Sequence, residues 1–262
     1  MSWGVYPRLS RAAALTAPRH PICLDAAAYS LPGPGGERVH ARYLYGDVAM
    51  GIAMYLRPRQ VMTVFCSAKV PGNVELVADA VEKLCPRNRA RVRVAVHDGA
   101  YDDCGWHGGC DGYRTITAAC ERAWRAYHTA ELQEVAVGYV FSRAHRDTPK
   151  FASQLRALTE AHAAGHIAFV GLAMPRALDL AAAMTVLSGA RVPVRIVVAH
   201  PTTEQPATPR AWAAAGDVEL FSYNQAHALS QGATHISAAR RGYEHMRNWA
   251  SAAFARPAIT CK

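Results

Sequence analysis

The chain has 262 residues, 51% of them hydrophobic, and carries a formal charge of +9 with a pI of about 9.4. That is enough apolar sequence for a sizeable core, and it excludes wholesale disorder. The positive charge suits anions, but the arginines are scattered rather than blocked and lack interleaved aromatics, so no nucleic-acid partner is expected.

The first twenty residues, MSWGVYPRLSRAAALTAPRH, hold three arginines and no uninterrupted apolar segment. A flexible basic arm is expected there rather than a secretory leader. Residues 1–44, closing on Pro- and Gly-rich sequence, read as an irregular N-terminal arm, 45–255 as a single α/β domain and 256–262 as a tail. Met50 to Leu56 is too short to span a membrane, and 181–200 is interrupted by Gly189, Arg191, Pro193 and Arg195, so no membrane partner is expected. Seven cysteines, an odd number with no regular framework, read as reduced thiols in a cytoplasmic protein.

From Tyr45 onward, short apolar runs alternate with amphipathic ones. Strands are expected over 61–68 (VMTVFCSA), 91–97, 134–142, 167–174, 194–200 and 217–223. Helices are expected over 73–85, with Asn73 as N-cap, and over 113–130, 148–165 and 176–190; Pro149 suits a first turn. The sequence from Gln225 onward reads as helical. This alternation predicts an open, mostly parallel β-sheet flanked by helices on both faces.

In such a sheet, ligands sit beyond the carboxyl ends of the strands. The groups found there are Cys66 and Lys69, then His97, then Arg143, His145 and Asp147, then Arg176, and finally His200. His97 opens a loop rich in Gly and Asp that contains Asp102, Asp103, Cys104, His107 and Cys110. Free cysteines prefer burial, yet this loop offers little apolar cover. Thiolate and imidazole ligands suit zinc. Cys66, His97 and Cys104 would leave a fourth position open for water, as in a catalytic site. Cys104, His107 and Cys110, closed by another ligand, would make a structural one.

VFCSAKVPG and VAVHDGAYDDCG together resemble the strands of β-class carbonic anhydrases that carry zinc on two cysteines and a histidine. The resemblance covers residues 61–105. It implies a zinc-dependent lyase in which zinc-bound hydroxide attacks CO2 or a similar small electrophile. The family's Cys-x-Asp-x-Arg is here Cys66-Ser67-Ala68-Lys69-Val70, so its Asp–Arg pair has to come from Asp102, Asp103 or Asp147 with Arg143. His107 or His145 would move the proton. Two alternatives stand beside this: a non-catalytic zinc-stabilised binding module, and a metal-free α/β enzyme with a Cys/His site or an anion site at Arg143, Arg176 and His200. In the enzyme readings the partner is a small-molecule substrate, and homo-oligomers are compatible with all three.

Overall fold

The computed structural model describes residues 22–28, 37–57, 60–97, 100–102, 105–107, 112–129, 131–142, 146–173, 176–199, 218–224, 228 and 232–237. The first strand, β1 (Ile22–Asp25), is buried along its whole length and runs into a 3-10 turn, Ala26–Ala28. Helix α1 (Glu37–Tyr55) leads to β2 (Met62–Ser67), whose β-branched and aromatic residues suit a strand buried on both faces. Then follow α2 (Asn73–Glu82), the short α3 (Pro86–Arg89) and β3 (Val92–His97). A small antiparallel hairpin, β4 (Ala100–Asp102) and β5 (Gly105–His107), stands between β3 and α4 (Tyr113–Tyr127). The chain continues through β6 (Ala136–Ser142), α5 (Pro149–Ala163), β7 (Phe169–Ala173), α6 (Ala177–Gly189) and β8 (Val194–Val198). It reaches β9 (Glu219–Ser222) and β10 (Thr234–Ser237).

Eight of these strands form one closed barrel in the order β1-β2-β3-β6-β7-β8-β9-β10, every neighbouring pair parallel. The expected open sheet is therefore corrected to a closed α/β barrel of the TIM-barrel kind. Strand–helix alternation is common to both architectures. What distinguishes them is the pairing of β1 with β10 on one side and β2 on the other. Both closing strands have only four residues. ICLD lies inside the segment read as an irregular arm, and THIS lies inside the segment read as helical.

Alternate residues of each strand face the barrel interior. Pairing sets Phe65, Ala95, Gly138 and Phe169 in one row. A Cβ on Gly138 would collide with the Phe169 ring, so the missing side chain makes room for that ring. Phe65 and Phe221 meet edge to face inside the barrel, their centroids 5.3 Å apart. Nearer the N-terminal end, the Arg93 guanidinium crosses the bore. Its Nε donates to Thr63 Oγ1 at 2.7 Å, its Nη2 lies 2.6 Å from Glu219 Oε2, and it sits over the Phe169 ring. The barrel interior is a packed core.

Candidate functional site at the C-terminal mouth of the barrel

The strand ends that share this mouth carry polar residues in a setting where most neighbours are apolar. Asp25 ends β1, Ser67 ends β2, His97 ends β3, Ser142 ends β6, and all four are buried. Buried polar groups persist only with partners. Asp25 Oδ1 accepts the Ala27 amide at 2.8 Å, and Oδ2 accepts the Tyr223 hydroxyl at 2.6 Å. The His97 Nε2 lies 3.5 Å from Asp25 Oδ1. Strands β1, β3 and the end of β9 thus bring a carboxylate, an imidazole and a phenol together. Lys69, two residues beyond β2, is exposed, and its amide donates to Ser67 Oγ at 3.2 Å.

A buried amide holds the loops beneath them. Asn73 was expected to cap α2, but Gly72, with φ 70°, takes that position. The Asn73 side chain instead accepts the Ser67 amide at 2.8 Å and donates to the Ala26 carbonyl at 2.7 Å. On the other side of the barrel, buried Asp179 in the first turn of α6 accepts the Arg146 amide at 2.9 Å and the Arg176 Nη2 at 2.6 Å. Arg176 also lies 3.5 Å from Asp147, which pairs with Arg146 at 3.2 Å on the surface. Asp147 and Arg176 therefore tie loops together at an exposed rim.

The register corrects the zinc site. Ser67 is level with His97, whereas Cys66 is level with Val96. Successive strand residues face opposite sides of a sheet, so His97 faces the bore and Cys66 the helical layer. Burial is the main cause that pushes the Cys66 thiol far above its ordinary range, with the Asp25 and Glu75 charges adding to it and Arg122 opposing. A thiol turned to the helical layer points away from His97, which suits neither a shared metal nor a nucleophile–base pair. No group of three or more His, Cys, Asp or Glu side chains that could hold a metal occurs among the described residues. Asp102 and His107 lie on the hairpin, where they pair with Gly105 and Ala100. Asp103, Cys104, Cys110, Arg143, His145 and His200 lie outside the described residues.

Asp25 and Tyr223 were not among the residues singled out in the sequence, and Asn73 was singled out only as a helix cap. The signal for Asp25 is ICLDAA, an acid that ends a short apolar run. It is recognisable only once ICLD is taken as a strand.

The chain matches no protein-family model and no curated protein by sequence. Solved structures do resemble it. A thermostable aldo-keto reductase in complex with the inhibitor epalrestat superimposes with a TM-score of 0.56 at 14% identity, covering 88% of this chain and 89% of that one. An aldo-keto reductase from Klebsiella pneumoniae in complex with NADPH gives 0.53 at 16% identity, covering 88% and 85%. The holo form of an aldo-keto reductase from Bacillus halodurans gives 0.50 at 11% identity, covering 91% and 86%. The chain spans 63% of an aldo/keto reductase from Brucella melitensis, with a TM-score of 0.46. These likenesses, with the closed barrel and the opposed faces of Cys66 and His97, overturn the carbonic anhydrase resemblance. The zinc lyase and its two alternatives fall with it, because Cys66 and His97 face opposite sides of their strands and so make neither a shared metal site nor a Cys/His pair. Among the described residues no helix is long and apolar enough to cross a membrane. The chain has the closed parallel α/β barrel fold that these aldo-keto reductases share.

Proposed function

We propose that the protein is an NADP(H)-dependent oxidoreductase that interconverts a carbonyl compound and its alcohol, with Asp25, Lys69 and His97 at the reacting end. The observation that carries this reading is the cluster of buried Asp25 and His97 with half-buried Tyr223 at the C-terminal mouth. Barrel enzymes hold their active sites on that face. The neighbour with NADPH bound supports the choice of cofactor.

The sequence after the last barrel strand suits a phosphorylated dinucleotide, although its arginines, Arg240 and Arg241, lie outside the described residues. In barrel enzymes the loops after the seventh and eighth strands commonly bind phosphate. Here those strands are β9 and β10, and β10 runs directly into Ala238-Ala239-Arg240-Arg241. Guanidinium forks match phosphate oxygens, so Arg240 and Arg241 are the residues assigned to hold them. When bound, NADPH supplies a hydride.

The chain's own residues then have to orient the carbonyl and neutralise its oxygen. Asp25 places a negative charge below the mouth and braces the His97 imidazole and the Tyr223 hydroxyl. Lys69 brings an ammonium on the adjacent loop, a cation for charge that develops on the oxygen. Proton donation by a positioned side chain is worth about 10²- to 10⁴-fold in rate.

The test is NADPH oxidation with a panel of aldehydes and ketones, for wild type and for Asp25→Asn, Lys69→Met, His97→Gln and Tyr29→Phe. Tyr29, a phenol in the chain between Asp25 and α1, lies outside the described residues. The expected result is turnover by wild type and loss of about 10²-fold or more in kcat in Asp25→Asn and Lys69→Met, with NADPH still bound. No turnover with any carbonyl, or full activity in both of those variants, contradicts the reading.

A further inference from the structure

Asn73 is fully buried between the segments that carry Asp25 and Lys69. Its amide uses both ends. Oδ1 accepts from the backbone of Ser67, the last residue of β2, and Nδ2 donates to the carbonyl of Ala26, the residue after Asp25. Ser67 Oγ in turn accepts the Lys69 amide. A path of hydrogen bonds therefore runs from the backbone beside Asp25, through the side chains of Asn73 and Ser67, to the backbone of Lys69. Only a neutral amide of this length can accept on one side and donate on the other. A helix cap does not need it, because Gly72 holds that position.

We infer that Asn73 is a positioning residue for the proposed reductase reaction, setting the spacing between the Asp25 loop and the Lys69 loop. The inference rests on the reductase reading. Misplacing reacting groups by about 1 Å can cost on the order of 10²-fold in rate. An Asn73 change should therefore act on the chemical step more than on cofactor capture.

The experiment compares wild type with Asn73→Asp, Asn73→Ala and Val81→Ala. Asn73→Asp keeps the shape and the acceptor for Ser67 but loses the donor to Ala26, and it reports if the alanine variant does not fold. Val81, buried at the far end of the same helix, controls for lost stability. Steady-state kinetics per folded enzyme and NADPH affinity by fluorescence titration are measured for each. The expected result is a fall in kcat of about tenfold or more in both Asn73 variants, with KM and NADPH affinity within about threefold of wild type. Val81→Ala should lose thermal stability and keep its kcat. Unchanged kcat in folded Asn73→Asp, or an equal fall in Val81→Ala, overturns the assignment while the reductase reading stands. A wild type that neither binds NADPH nor reduces any carbonyl overturns both.

Discussion

Buried Asp25 takes the hydroxyl of half-buried Tyr223 at 2.6 Å, so that hydroxyl can be tested alone. Tyr223→Phe is expected to cost about 1–3 kcal/mol of stability, because a buried carboxylate oxygen loses a donor. Denaturant unfolding measures this, and an unchanged midpoint would show that the bond adds nothing. Gly138→Ala is expected to destabilise by about 1–3 kcal/mol, since its methyl would displace the Phe169 ring from the bore. The same measurement checks it. His97 and Lys69 were legible from sequence as groups at strand ends. Cys66 was misread because one residue separates it from the bore-facing row, and register is fixed by pairing partners far away in sequence. Asp25 was hidden for a different reason: its strand is four residues long and stands among prolines and glycines.

The elements around β2 to β9 follow their local patterns closely. The strand expected over 61–68 is Met62–Ser67, and the helix expected over 148–165 is Pro149–Ala163. Helix ends show where local chemistry is imperfect. Helix α5 closes with Gly165 at φ 74°, and the His166 amide returns to the Ala161 carbonyl at 2.9 Å. Helix α6 closes the same way, but with Arg191 at φ 57° and the Val192 amide returning to Leu187 at 2.9 Å. A left-handed conformation disfavours a side chain, so Arg191→Gly is expected to stabilise by about 0.5–1 kcal/mol after the entropy that glycine loses. A lower thermal midpoint would contradict this. Between α2 and α4, Arg122 grips Glu75 through Nε at 2.7 Å and Nη2 at 2.6 Å, and also reaches the Ala68 carbonyl. Burial raises the Glu75 carboxyl, but the Arg122 hydrogen bond and charge outweigh it and hold the group below the ordinary glutamate range. A depressed folded pKa gives stability that is present above the unfolded value of about 4.3 and is lost as pH falls through the folded one. The pair is part-exposed and screened, so Arg122→Met should cost only about 0.5–1 kcal/mol at pH 7. That difference should shrink below pH of about 4; a difference constant with pH would contradict it.

Closure is the property of the whole molecule that the sequence did not display. An alternation of strands and helices satisfies an open sheet and a barrel alike, and the deciding pairs, Ile22 with His235 and Leu24 with Val64, join distant parts of the chain. Closure has a chemical consequence. Cys23 lies buried in β1, where burial above all, then the Asp25 and Glu219 charges, hold its thiol well above its ordinary range, with Arg93 opposing. In a flexible arm it would react quickly. In the barrel, Cys23 and Cys66 should react with a thiol reagent only as the protein unfolds, whereas exposed Cys85 reacts in the native state. Peptide mapping after brief alkylation distinguishes the two, and rapid labelling of Cys23 would count against closure. The most direct measurement of the central claim is the thermal midpoint of the wild type titrated with NADPH. An NADP(H) site predicts a saturable rise, equivalent to about 2.7 kcal/mol at a hundredfold excess over Kd. A midpoint that stays constant across the titration would contradict an NADP(H) site at the mouth of this barrel.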